Sequence, residues 1–121
     1  MTKPGVYFIV DFEISEGKVG EFQAIAAEMV AGTQQEPGAL GYEFYLGANE
    51  RQCRLIEVYS DSDAALAHCK GYVVQELVPK LLSVSSLAGF SVYGDLASET
   101  ADILTEGGAR LFTTWHGFNR F

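Results

Sequence analysis

The segment "VYFIVDFEI", Val6 to Ile14, constrains the fold more than any other part of the chain. Val6, Phe8, Val10, Phe12 and Ile14 recur at period two, which is the pattern of a strand with one face in a core. The opposite face, Tyr7, Ile9, Asp11 and Glu13, is mixed. After "SEGKVG" the period changes: Val19, Phe22, Ile25, Ala26, Met29 and Val30 form a helical stripe. Pro37 and Gly38 in "QQEPGA" end it. A strand with one apolar face, followed by a helix with one apolar stripe, predicts an α+β domain built in layers.

The remaining elements fit that frame. "LGYEFYL" (Leu40 to Leu46) and "RLIEVYS" (Arg54 to Ser60) read as two strands joined by "GANERQC", whose Gly47 and Asn49 suit a hairpin turn. Asp61 or Ser60 can cap a helix that starts "DSDAALAH", and Gly71 interrupts it before "YVVQELVPKLLSV" continues as a second helical piece. "LAGFSVYGDL" (Leu87 to Leu96) is a fourth strand, and the last residues add a short helix and a fifth strand from Leu111 to Phe118. Strand, helix, strand, strand, helix, strand is the ferredoxin-like split βαβ order, with an antiparallel sheet and helices on one face. A chain of 121 residues is one domain by size, and neither a linker nor an internal repeat divides it. Disorder is expected from Met1 to Pro4.

Such a sheet has a second face. If the even positions of the first strand meet the helices, the other face is expected to carry Tyr7, Ile9, Tyr45, Leu55 and Tyr59, with Glu43 and Glu57 on partly enclosed surface. An apolar face of that size calls for cover, and a second copy of the chain is the economical one, so a homodimer is expected.

Composition narrows the function. The formal net charge of −8 and singly scattered lysines and arginines argue against nucleic acid and anionic membrane as partners. The amino-terminal apolar run, broken by Asp11 and Glu13, is too short for a signal peptide or a membrane span, and the expected compartment is the cytoplasm. Cys53 and Cys69 match no metal-binding or disulfide spacing and read as core fillers. The two histidines lie far apart, no ligand cluster accompanies them, and no glycine-rich loop follows a strand, so neither metal nor nucleotide cofactor is expected.

"EFQAIAAEMVAGTQQEPGALGYEFYL", "RLIEVYSDSDAALAHCKGY" and "FSVYG" together resemble the antibiotic biosynthesis monooxygenase domain, a dimeric α+β barrel family. The similarity runs from about Val6 to Gly94 and leaves 95–121 as an extension. Its most specific parts are EPG-x-x-x-YEFY at Glu36 to Tyr45 and E-x-Y-x-D-x-x-A-x-x-x-H at Glu57 to His68. The resemblance implies a homodimer with a pocket in each subunit between sheet and helices. It also implies a choice of chemistries: monooxygenases that oxidise phenols or quinols without metal or flavin, haem-degrading enzymes, or an isomerase. Haem degradation is disfavoured, because the asparagine that branch carries on the first strand is missing and His68 stands where it has tryptophan. A two-histidine mechanism is disfavoured too, because Tyr72 stands where many relatives place the second histidine.

His68 and Glu57 are the candidate catalytic residues, expected to border one cavity. An imidazole with an ordinary pKa near 6.5 suits proton transfer at neutral pH, and a carboxylate in an apolar enclosure must pair, accept hydrogen bonds or take up a proton. Each has a plainer alternative, a ring packed on the sheet and a structural acid. Arg54 cannot neutralise Glu57, since the two point to opposite faces of one strand. Tyr45, Tyr59 and Tyr72 are expected to line the pocket, and Trp115 to bind substrate, close the barrel or reach across the dimer. The expected function is a cofactor-independent monooxygenase of an aromatic phenol or quinol. The alternatives are a non-catalytic small-molecule binding or stress-related protein and an isomerase.

Overall fold

A computed structural model describes residues 4–121, so Met1–Lys3 of the stretch expected to be disordered lie outside the described residues. In chain order the elements are β1 (Val6–Ile14), α1 (Val19–Gln34), β2 (Ala39–Leu46), β3 (Gln52–Tyr59), α2 (Ser62–Lys70), a π-helical turn (Val73–Leu77), α3 (Val78–Leu81), β4 (Ser85–Gly94), α4 (Ser98–Glu106) and β5 (Arg110–Phe112). The sheet order is β2-β3-β1-β4-β5. The pairs among β1 to β4 are antiparallel, and β5 joins β4 in parallel. This is the α+β ferredoxin-like fold with an added helix and strand. The fifth strand is shorter than expected, and residues 113–121 form no regular element.

The alternating side chains of β1 are buried beneath the helices, with Val6, Phe8, Phe12 and Ile14 almost fully covered. Helix α1 meets them with Phe22, Ala26, Met29 and Thr33, spaced at three to four residues along one face. Phe12 and Phe22 pack edge to face at 5.8 Å. Cys53 and Cys69 are buried free thiols.

Two expectations about the outer face need correction. Leu55 and Tyr59 are on the helix side of the sheet, and so is Glu57, while Glu43 is on the other. The reason is register: Phe8 stands opposite Glu57 and Val10 opposite Leu55, so even positions of β1 share a face with odd positions of β3. Tyr42 pairs with Glu57 and Tyr45 with Arg54, so even positions of β2 face the helices and Tyr45 faces away. The outer face therefore carries Tyr7, Ile9, Ile56 and Val58, all part-exposed, together with Tyr45 and Tyr93. Arg54 forms a two-pronged ion pair with Asp11 there, at 2.7 and 3.0 Å.

Helix α2 is capped by Asp61, whose side chain accepts a hydrogen bond from Ala64 N at 2.8 Å. Its helical path stops at Gly71, where the backbone is extended. Gln75 Nε2 donates to the Cys69 carbonyl at 2.8 Å, which satisfies one acceptor at that break. The following turn is π-helical, with Val78 N–H donating to the Val73 carbonyl. Pro79 accounts for this: it has no N–H to offer the Gln75 carbonyl, and the wider turn makes room for its ring.

Candidate active site

Between the sheet and the helices lies a cavity of about 220 Å³. Phe8, Val10 and Phe12 of β1, Leu55 and Glu57 of β3, and Tyr42 of β2 form its floor. His68, Cys69, Val74, Gln75 and Val78 cover it, and Ile103, Leu104 and Gly107 of the carboxyl-terminal extension close one side. The walls are mostly aliphatic and aromatic, and the titratable groups gather at one end.

His68 reaches that end because α2 turns Ala65, His68 and Cys69 toward the sheet. Its ring is buried, 5.2 Å from the Tyr59 ring and 5.6 Å from the Tyr42 ring. Nε2 is 3.4 Å from Glu57 Oε1. Nδ1 lies 2.9 and 3.1 Å from the two carboxylate oxygens of Glu36. The "EPG" stretch puts Glu36 there. Gly38 packs against Ala64 so closely that a side chain at position 38 would collide with it, and Ser60 N–H donates to the Gly38 carbonyl at 3.0 Å. Two residues earlier, Glu36 is level with the next turn of α2, where His68 sits.

Glu57 is 4% exposed, and its Oε1 accepts a hydrogen bond from the Tyr59 hydroxyl at 2.5 Å. Burial pushes the Glu57 carboxyl up to about 8, and Glu36 adds to the shift against the opposing Tyr59 hydrogen bond. Glu57 therefore holds its proton at neutral pH. Burial lowers the pKa of His68, with Glu36 working against it, so the imidazole is neutral at pH 7. Tyr42 and Tyr59 are both raised, first by burial, and keep their phenolic protons. The cavity thus faces a neutral imidazole set against a protonated carboxylic acid, a base and an acid side by side. Among the described residues no group of three His, Cys, Asp or Glu is placed to hold a metal ion, and no helix is long and apolar enough to cross a membrane.

Of the residues singled out in the sequence, the structure brings His68, Glu57 and Tyr59 together. Tyr59 supports Glu57 through its hydroxyl, but like Tyr45, Tyr72 and Trp115 it is not among the cavity's lining residues. Register turns Tyr45 to the outer face, where it borders an open groove of about 530 Å³ with Asp11, Arg51 and Arg54. Tyr72 follows the break at Gly71 on the exposed side, and Trp115, at 93% exposure, lies beyond β5. Sequence reasoning did not single out Glu36, Tyr42 or Gln75. The signal for Glu36 was the "EPG" turn itself, read as a helix stop and as part of the family pattern but not as a partner for His68.

Residues 5–80 match the family model for antibiotic biosynthesis monooxygenase. Among solved structures, MupZ from Pseudomonas fluorescens is similar at 27% identity over 98% of this chain and 96% of that one, with a TM-score of 0.81. SnoaB, a cofactor-independent oxygenase from Streptomyces nogalater, is 18% identical over 79% of this chain and 97% of its own, with a TM-score of 0.68. A conserved protein from Methanosarcina mazei Go1 is 18% identical over 78% and 95%, with a TM-score of 0.71. No curated protein matches. Because the match to the family model covers more than half of the sequence, the chain belongs to the antibiotic biosynthesis monooxygenase family.

Proposed function

We propose that the chain is a cofactor-independent monooxygenase that begins by removing a proton from the hydroxyl of a small aromatic phenol or quinol. The observation that carries the reading is the neutral, buried imidazole of His68, with Nε2 at the polar end of an apolar cavity. Nε2 takes the hydroxyl proton, Glu57, steadied by the Tyr59 hydroxyl, holds the oxygen by a hydrogen bond, and the apolar walls exclude water. The phenolate so formed is electron-rich enough to pass an electron to dioxygen directly, and the protein's own work is deprotonation and enclosure. A volume of about 220 Å³ lies under the ~300–1,000 Å³ of sites for drug-sized ligands, which favours one- or two-ring substrates. The likeness to SnoaB, a cofactor-independent oxygenase, supports the same reading.

The homodimer belongs to this proposal. Tyr7, Ile9, Ile56 and Val58 with Tyr45 and Tyr93 form an apolar and aromatic sheet face that a second copy would cover. Tyr45 and Trp115 then act at or across that interface.

A second reading is favoured by the proton on Glu57. Oxygenation needs a base, whereas this site sets an acid beside one, the arrangement for moving a proton between two atoms of one substrate in an isomerisation. Oxygen uptake with one- and two-ring phenols and hydroquinones, in the presence of a metal chelator, tests the first reading. Uptake that disappears in His68→Ala is expected. Turnover that proceeds equally without dioxygen would move the assignment to the isomerase, and tight binding with no turnover would leave a binding protein.

A further inference from the structure

The proton-transfer reading of His68 leaves open what fixes its tautomer and how so enclosed a ring exchanges protons with water. We propose that Glu36 does both: it is the positioning residue that keeps the hydrogen on His68 Nδ1, and it is the cavity's proton outlet to solvent. The inference rests on the reading of His68 as the base, and its test needs no substrate.

The geometry supplies each part. A carboxylate accepts hydrogen bonds, so contacts of 2.9 and 3.1 Å from both Glu36 oxygens to Nδ1 place the hydrogen on that nitrogen. The Nε2 lone pair is thereby turned toward Glu57 and the cavity. The carboxylate also favours the imidazolium that forms when Nε2 takes a proton. The groups facing the ring are Glu36 from the turn after α1, Tyr42 from β2, Glu57 and Tyr59 from β3, and Cys69 from its own helix. Among these side chains, those of His68 and Glu57 are 3% and 6% exposed, while that of Glu36 is 26% exposed. A proton arriving at Nε2 lets Nδ1 hand its own to a Glu36 oxygen, which water can reach. The reverse passage, solvent to Glu36 to Nδ1 with Nε2 returning its proton to the bound molecule, restores the starting tautomer with no net change of protons.

The test is ¹⁵N NMR of the His68 ring in the full chain, wild type against Glu36→Gln and Glu36→Ala, with the amide fingerprint as the check on folding. In the wild type the neutral ring should carry its hydrogen on Nδ1. In Glu36→Gln the side-chain carbonyl still accepts from Nδ1 but cannot take up a proton. The tautomer should therefore persist, Nδ1–H exchange with water should slow at least tenfold, and His68 should titrate at lower pH. In Glu36→Ala the Nδ1–H preference should be lost as well. A wild-type ring with its hydrogen on Nε2 overturns the proposal, and so does Glu36→Gln with exchange and titration unchanged. Should Glu36→Ala fail to fold, the other two proteins decide. An enzyme that never turns over a phenol can still pass this test, so the two readings fail separately.

Discussion

Replacing Glu57 by glutamine should change how the stability of the chain depends on pH. In the folded protein burial holds this carboxyl at about 8, against 4.5 when exposed. Between those values the folded state binds a proton that the unfolded state has released, so stability falls as pH rises. His68 pulls the other way, because its folded pKa is lowered, but that contribution ends near pH 6.5, above which both states leave it neutral. From pH 6.5 to 8.5 Glu57 therefore acts without that opposition, at about 1.4 kcal/mol per pH unit until it ionises in the fold, or about 2 kcal/mol in all. At roughly 2.1 cal/mol/K per residue, 121 residues give an unfolding entropy of about 0.25 kcal/mol/K, so the melting temperature should drop by about 8 °C. Glutamine keeps an acceptor for the Tyr59 hydroxyl and does not titrate. The difference in Tm between wild type and Glu57→Gln, measured by calorimetry at one protein concentration, should therefore shift by that amount in favour of the variant. Parallel curves for the two proteins would show that Glu57 is ionised in the fold, and the account of the cavity as an acid beside a base would be wrong.

His68→Ala should cut turnover at least tenfold, a barrier increase of about 1.4 kcal/mol; loss of stability with unchanged specific activity would instead mark the ring as structural. Sedimentation at micromolar protein should give twice the chain mass, and Ile56→Glu, on the outer sheet face, should give a folded monomer; a monomeric wild type would remove the proposed dimer. Gly94→Ala should lower stability by about 1–3 kcal/mol in denaturant titration, since position 94 has a φ of +128° and a side chain there would meet the Gly5 carbonyl. An unchanged midpoint would mean that this end of β4 can shift.

The order of elements was legible because each strand and helix carries its own period, clearest in Val6–Ile14 and in the stripe of α1. The face of β3 was not. Its sequence has apolar residues at both parities, Leu55 and Tyr59 on one and Ile56 and Val58 on the other, so alternation within the strand cannot choose. Pairing with β1 chooses, and pairing is a property of two strands. His68 and Glu57 could be named because an imidazole and an acid stand out in apolar surroundings. Glu36 could not, since it is 32 positions from His68 and the two meet only when Gly38 packs against Ala64. The extension was legible as a helix and a strand, but not that Ile103 and Leu104 would face the cavity.

The π-helical turn makes the shape of the cavity depend on chain length at a single point. A π turn is an α turn with one residue inserted, and every side chain after it is rotated by about 100° from where an uninterrupted helix would carry it. Val78 and Leu82 line the cavity in that rotated frame. Removing one residue between Val73 and Leu77 would swing both off the cavity and bring Pro79 into a regular turn that cannot accommodate it. The proline and the inserted residue must therefore come and go together in descendants of this chain. Losing the pair would recut the binding chamber in one step while leaving the sheet and its acid–base end in place.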